Sequence, residues 1–254
     1  MRRRSGGRRA LAALVLLAAC GPAVAVTRRD VPQAPPSFLV QAAAMPAYAL
    51  PPTRAAPSGP APDELAGLTS RDVPQTLNGT FDVVPDTVPD TVPGTVPAPG
   101  VGPVTTVRVE TEQGLPVDAQ RFAGFVMDTL DDPHGWGAGG RMSFVRTGSD
   151  DATIQVLLAS PDTLDRLCSP IDTTGELSCR SGARAVLNFY RWVNGQEDYA
   201  GNTTGYRRYL VNHEVGHVLG HGHEPCPGAG MRAPVMQQQT LGLNGCTQNP
   251  WPYP

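Results

Sequence analysis

The chain has 254 residues, a formal net charge of −3, 40% hydrophobic and 17% charged residues, which suits one or two domains. Its 20 basic residues are all arginine, and no surface basic enough for a nucleic-acid partner emerges from them. The continuous apolar run around residues 10–19 is too short to span a bilayer as a mature helix, which excludes a polytopic membrane protein.

Residues 1–19 read as a signal peptide. Arg2, Arg3, Arg4, Arg8 and Arg9 form a basic start, and Ala10 to Ala19 a short apolar stretch. Leu17-Ala18-Ala19-Cys20 resembles a bacterial lipobox, which makes Cys20 the lipidated first residue and the only expected link to a membrane. Cleavage after Ala25, in Ala23-Val24-Ala25, is the alternative. Either cut exports the protein, as a cell-surface lipoprotein or a secreted one. Residues 20–76 read as a Pro/Ala-rich linker or stalk. They have too few large apolar residues for a core, and 17 of the 27 prolines fall between Pro22 and Pro103. Residues 77–254 form the expected folded domain. Within it, 84–103 reads as a spacer, because Val84-Pro85-Asp86-Thr87 recurs with small changes and its prolines block sheet pairing. A rival reading makes residues 26–100 a pro-segment covering an active site.

Before that spacer, Gly79 to Val84 fits a lone strand. After it, Val107 and Val109 alternate with Arg108 and Glu110 as a half-buried strand. Asp118 is a suitable N-cap for a helix that puts Ala119, Phe122, Ala123, Val126 and Leu130 on one face. Met142–Thr147, Ile154–Leu158 and Ala185–Phe189 read as strands, and Pro161–Leu167 as a short helix. Tyr206, Tyr209, Leu210, His213 and His217 recur at helical spacing. The order of elements gives an α+β fold.

Apart from Cys20, the chain has Cys168, Cys179, Cys226 and Cys246, which allow three pairings. Proximity favours Cys168–Cys179 and Cys226–Cys246. No Cys-x-x-Cys pair supports a cysteine-zinc site.

Four of the five histidines lie in one window, His213-Glu214-Val215-Gly216-His217-Val218-Leu219-Gly220-His221-Gly222-His223. His213 and His217 are four apart, so a helix projects both imidazoles from one face toward a shared ion. Zn²⁺ suits them, one per domain, with a fourth position left for water. Glu214 follows the first ligand and can take that water's proton. His221, eight residues from His213, would lie about 12 Å away along a continued helix. Gly220 offers a left-handed turn that ends the helix and returns the chain, bringing His223 to the ion instead. His134 reads as a loop residue.

The window resembles the metzincin pattern His-Glu-x-x-His-x-x-Gly-x-x-His at every fixed position. Chance gives this extended pattern in roughly six of a million chains of such composition, so accident is a poor account of it. Ala233-Pro234-Val235-Met236 resembles the Met-turn of that clan, with Met236 its structural methionine. More narrowly, residues from about 79 to 254 resemble an uncharacterised family of secreted metzincin-like domains of actinomycete bacteria. The resembling stretches are Cys168-Ser169-Pro170, Val211–His217 and Pro234–Thr240. The resemblance implies a zincin-like domain with a small mixed sheet, an active-site helix and a Met-turn, and metallopeptidase chemistry. One departure stands out: the 18 residues after Met236, with Gly242, Gly245, Pro250, Pro252 and Pro254, leave no room for the clan's C-terminal helix.

The expected function is therefore that of an exported zinc metallopeptidase, hydrolysing a protein or peptide substrate through a zinc-bound water and Glu214 as general base. His213, His217 and His223 hold the metal, and the protein is monomeric. By analogy with the clan, the strand at Ala185–Phe189 pairs with an extended peptide. No oxyanion donor stands out. The alternative is a catalytically inactive, zinc-stabilised cell-surface binding module, with Glu224 or His221 closing the fourth position. A stalk-borne adhesion domain without metal is the third reading.

Overall fold

A computed structural model describes residues 61–85 and 102–254. The signal segment, Cys20, the stalk up to residue 60 and the Val-Pro repeat from Asp86 onward lie outside the described residues. The described chain is α+β. It runs α1 (Pro62–Leu65), β1 (Phe81–Val83), β2 (Val104–Glu112), α2 (Ala119–Leu130), β3 (Ser143–Arg146), β4 (Ile154–Ala159), α3 (Pro161–Cys168), β5 (Cys179–Ser181), β6 (Arg184–Asn188), α4 (Phe189–Asn194) and α5 (Thr203–Val218). Among the described residues no helix is long and apolar enough to cross a membrane.

The six strands form one mixed sheet in the order β1-β2-β4-β6-β5, with β3 also paired to β2. β2, β4 and β6 are parallel to one another, whereas β1 and β5 run antiparallel at the two ends of that path. Alternation along the strands sorts their side chains between two faces. Val107, Val109, Ile154, Val156, Leu158, Ala185 and Leu187 join the larger core with residues of α2 and α5. Leu157, Ala159 and Val186 join a smaller cluster with Leu164 of α3. Phe122 and Phe125 of α2 meet the Trp192 ring edge-on at 5.1 and 5.3 Å, filling the larger layer. Asp118 caps α2, its side chain accepting from the Arg121 amide.

Two sequence expectations need correction. The domain begins before residue 77, because the segment assigned to the stalk from residue 61 onward is laid against the fold. Ala66 is fully buried, its carbonyl accepts from Trp192 Nε1 at 3.1 Å, and Leu68 bridges to Val117. Asp63 reaches the fully buried Arg207 of α5 at 2.7 Å, and Arg71 donates to the Val193 carbonyl. Scarcity of apolar residues misled the composition reading here. The segment is tied down by these polar bonds and by Ala66, Leu68 and Val73, which join the domain's larger core rather than forming one of their own. The second correction concerns substrate pairing. β6 pairs with β4 along its length and with β5 over Arg184–Val186, and the Asn188 amide beyond donates to Ser178 Oγ, so it has no edge to offer a peptide. The edge belongs to β5, a three-residue strand too short to show a period of two in the sequence.

Candidate metal centre

α5 carries the histidine window across the larger face of the sheet. Asn202 starts it, its side chain accepting from the Gly205 amide. It ends as the sequence predicts. Gly220 takes φ +96°, its amide bonds to the His217 carbonyl, and the His221 amide bonds to the Gly216 carbonyl. This is a Schellman cap, in which the left-handed glycine satisfies the last carbonyls and turns the chain back.

That reversal brings His223 to the other two imidazoles. His217 Nε2 lies 3.2 Å from His213 Nε2 and 3.1 Å from His223 Nε2. The ligating atoms of the three residues all fall within 4.8 Å of one another, so they could hold a metal ion. His213 Nδ1 donates to the Val235 carbonyl and His217 Nδ1 to the His221 carbonyl, both at 2.9 Å. A carbonyl can only accept, so these bonds place the proton on Nδ1 and leave each Nε2 a lone pair. The Nε2 lone pairs of His213 and His217, facing each other at 3.2 Å, repel unless a cation sits between them. Three ligands of a tetrahedral ion with bonds of about 2.0–2.1 Å are themselves about 3.3 Å apart, which this cluster approaches.

Electrostatics agree. Burial pushes the His213 pKa down to about 3, with His217 and His223 adding to the effect. His217 and His223 are also lowered, first by burial, so all three are neutral donors at pH 7. Glu214 is buried beside them, its Oε2 has no hydrogen-bond partner, and burial pushes its pKa up to about 8. A cation among the imidazoles would draw that carboxyl back toward the ionised form. The three histidines and Glu214 share the wall of one cavity of about 290 Å³ with Arg180, Tyr209 and Leu241.

Beneath the cluster runs the segment singled out as a Met-turn. The Gln237 amide bonds to the Pro234 carbonyl, closing a turn around Val235 and Met236. Met236 is buried against Gly216, and the Glu224 amide bonds to its carbonyl. The chain leaving His223 is thus fastened to the turn that orients His213. No helix follows α5 among the described residues. Glutamine and asparagine side chains fasten the tail instead. Gln239 donates to the Pro234 and Asn249 carbonyls, Asn249 to Ala233, and Asn212 of α5 to Pro250. Tyr209 bonds both the Gln237 carbonyl and the Gln239 amide through its hydroxyl. Cys226–Cys246 and Cys168–Cys179 are both bridged, the pairings that proximity favours. The first links the chain after His223 to the tail, and the second ties β5 to α3. Two disulfides are compatible with an extracellular protein.

His221 does not join the cluster. Its ring stacks on Trp136 at 4.5 Å, and only its carbonyl serves the site, by holding His217. Glu224 lines a different cavity with Trp136 and His221, so neither residue closes the centre. His134 sits in its loop beside Asp132. Trp136 was not foreseen: it donates to the Asn212 carbonyl and packs on Gly216, though nothing near it in sequence marks it. A His221→Ala variant keeps the carbonyl and is expected to titrate with zinc as the wild type does. His223→Ala loses a ring nitrogen from the cluster and is expected to lose tight binding. Zinc titration of both checks the assignment, and the reverse result contradicts it.

No curated protein and no solved structure matches the chain. Residues 69–254, which carry the whole of this centre, match the family described as Protein of unknown function (DUF3152), and the chain belongs to that family.

Proposed function

We propose that the protein is an exported zinc-dependent peptidase of metzincin-like, zincin-type architecture, acting on protein or peptide substrates. The reading rests on one observation above the others. Three neutral imidazoles converge, those of His213 and His217 with the proton held on Nδ1 so that each Nε2 keeps its lone pair, and a buried carboxyl with an unpartnered oxygen opens on the same cavity. The donor set suits zinc, which prefers imidazole nitrogen and tetrahedral geometry. Within the described residues the cluster offers three protein ligands, the number of a centre with an open position. A structural site would be closed and would have no use for Glu214.

His213, His217 and His223 would hold the ion, the first two oriented by the carbonyls of Val235 and His221. Bound zinc supplies a Lewis acid that acidifies water and polarises a peptide carbonyl. Glu214 accepts the proton of the attacking water through its free oxygen. It then delivers that proton to the departing amine nitrogen, which leaves as the neutral amine. The carbon–nitrogen bond breaks and the carbonyl carbon gains the water oxygen.

Zinc content measured by mass spectrometry, beside cleavage of a mixed peptide library, tests the reading. The expected result is about one zinc per chain, with cleavage abolished by a chelator and restored by zinc. Stoichiometric zinc without cleavage of any peptide would favour the inactive binding module.

A further inference from the structure

β5 is antiparallel to β6 and has one unpaired edge, beside the histidine cluster. Arg180 pairs with Ala185 in its register, so the two side chains share a face of the sheet. Ala185 packs in the larger core under α5, whereas Cys179, one residue away, faces α3 and its disulfide. Alternation therefore turns Arg180 toward the metal centre, and it lines the cavity there.

Among the described residues Arg180 is the one cation lining this cavity, and no carboxylate lies within ion-pair distance of its guanidinium. Glu176, an acid nearby in sequence, is taken by Arg191 at 2.5 Å. The arginines around it are otherwise engaged: Arg184 with Gln155 and Arg166 with Thr163. An unpaired guanidinium at a cleft suits a carboxylate from outside, since its planar fork matches that group. The same cavity has two apolar residues that a folded chain would ordinarily cover. Ile171 is 57% exposed and Leu241 62% exposed, and they come from separate loops.

We propose that Arg180 is a specificity-determining residue, binding a carboxylate of a peptide whose neighbouring apolar side chain rests on Ile171 and Leu241. The carboxylate belongs either to an acidic side chain or to a free C-terminus. This inference rests on the reading above that the cleft receives a peptide.

The test uses the zinc-loaded full chain carrying Glu214→Gln, so that bound peptides survive. Fluorescence anisotropy compares three labelled peptides with a common leucine: one with glutamate and a capped terminus, one with glutamine and a capped terminus, and one with glutamine and a free terminal carboxylate. The expected result is that a carboxylate-bearing peptide binds about tenfold more tightly than the capped glutamine peptide, the gain of one charge-assisted contact. Arg180→Glu should erase or reverse that ratio, and Arg180→Lys should retain part of it. Which carboxylate peptide gains identifies the source. Equal binding of all three, or a preference that survives Arg180→Glu, overturns the assignment. A preference that depends on Arg180, together with a zinc-loaded wild-type chain that cleaves none of these peptides, would contradict the peptidase reading and leave this one standing. Cleavage by the wild-type chain, with no carboxylate preference, would do the reverse.

Discussion

Replacing Glu214 with Gln is expected to leave about one zinc per chain while lowering peptide hydrolysis by roughly 10²–10⁴-fold, the usual contribution of a general base. The two effects separate because Glu214 is not one of the three converging donors. Glutamine has the same shape and fits the same buried slot, but its amide cannot take a proton from water. The substitution also removes a buried carboxyl whose free oxygen has no partner, so the fold should not suffer from it. Zinc content and initial cleavage rates, measured on the same preparations, check the prediction. A Gln variant that cleaves at the wild-type rate would place the base elsewhere. Loss of zinc together with activity would mean that Glu214 is a ligand.

The second large effect concerns stability. α2 carries Gly124 and the last turns of α5 carry Gly216, and alanine should act on them in opposite directions. Alanine favours a helix interior over glycine by about 1 kcal/mol. A Cβ at Gly124 meets nothing within 4 Å, so Gly124→Ala should raise stability by up to that amount. At Gly216 the added Cβ would lie 2.5 Å from Met236 Sδ and 2.7 Å from Trp136 Cζ2. Met236 is buried beneath the centre, and the Trp136 ring is fixed by its bond to Asn212 and its stack on His221. Overpacking of this kind costs about 1–3 kcal/mol, which outweighs the helical gain. Gly216→Ala should therefore lower the melting temperature, by about 2–4 °C for each kcal/mol of net loss in a domain of this size. Because Val235 next to Met236 orients His213, zinc affinity should fall as well. Thermal unfolding of both variants, with zinc titration, is the check. A rise in melting temperature for Gly216→Ala would show that Met236 is not packed against the helix.

The histidine cluster was legible because its parts are local. His213 and His217 lie one helical turn apart, and Gly220 announces the reversal that returns His223. The disulfides also followed from short separations. What escaped the sequence depends on distant strands and on polar bonds. β5 is three residues long, and only its register against β6 shows which way Arg180 turns. Trp136 and His221 are far apart in sequence, so their stacking has no local signal. The glutamines at 237 and 239 look like surface residues by composition, yet both are buried and hydrogen-bonded to the tail. They hold the Met236 segment, after which no helix follows among the described residues. Residues 61–76 misled for the same reason. A buried arginine, backbone bonds and a few scattered apolar side chains hold them, and none of these makes a hydrophobic pattern.

Crystals of the zinc-loaded chain measured on either side of the zinc absorption edge would test the central claim most directly. One anomalous peak is expected at about 2.0–2.1 Å from Nε2 of each of His213, His217 and His223, with no fourth protein ligand and Glu214 unliganded. A peak coordinated by His221 or Glu224, or none among these histidines in zinc-saturated protein, would contradict it.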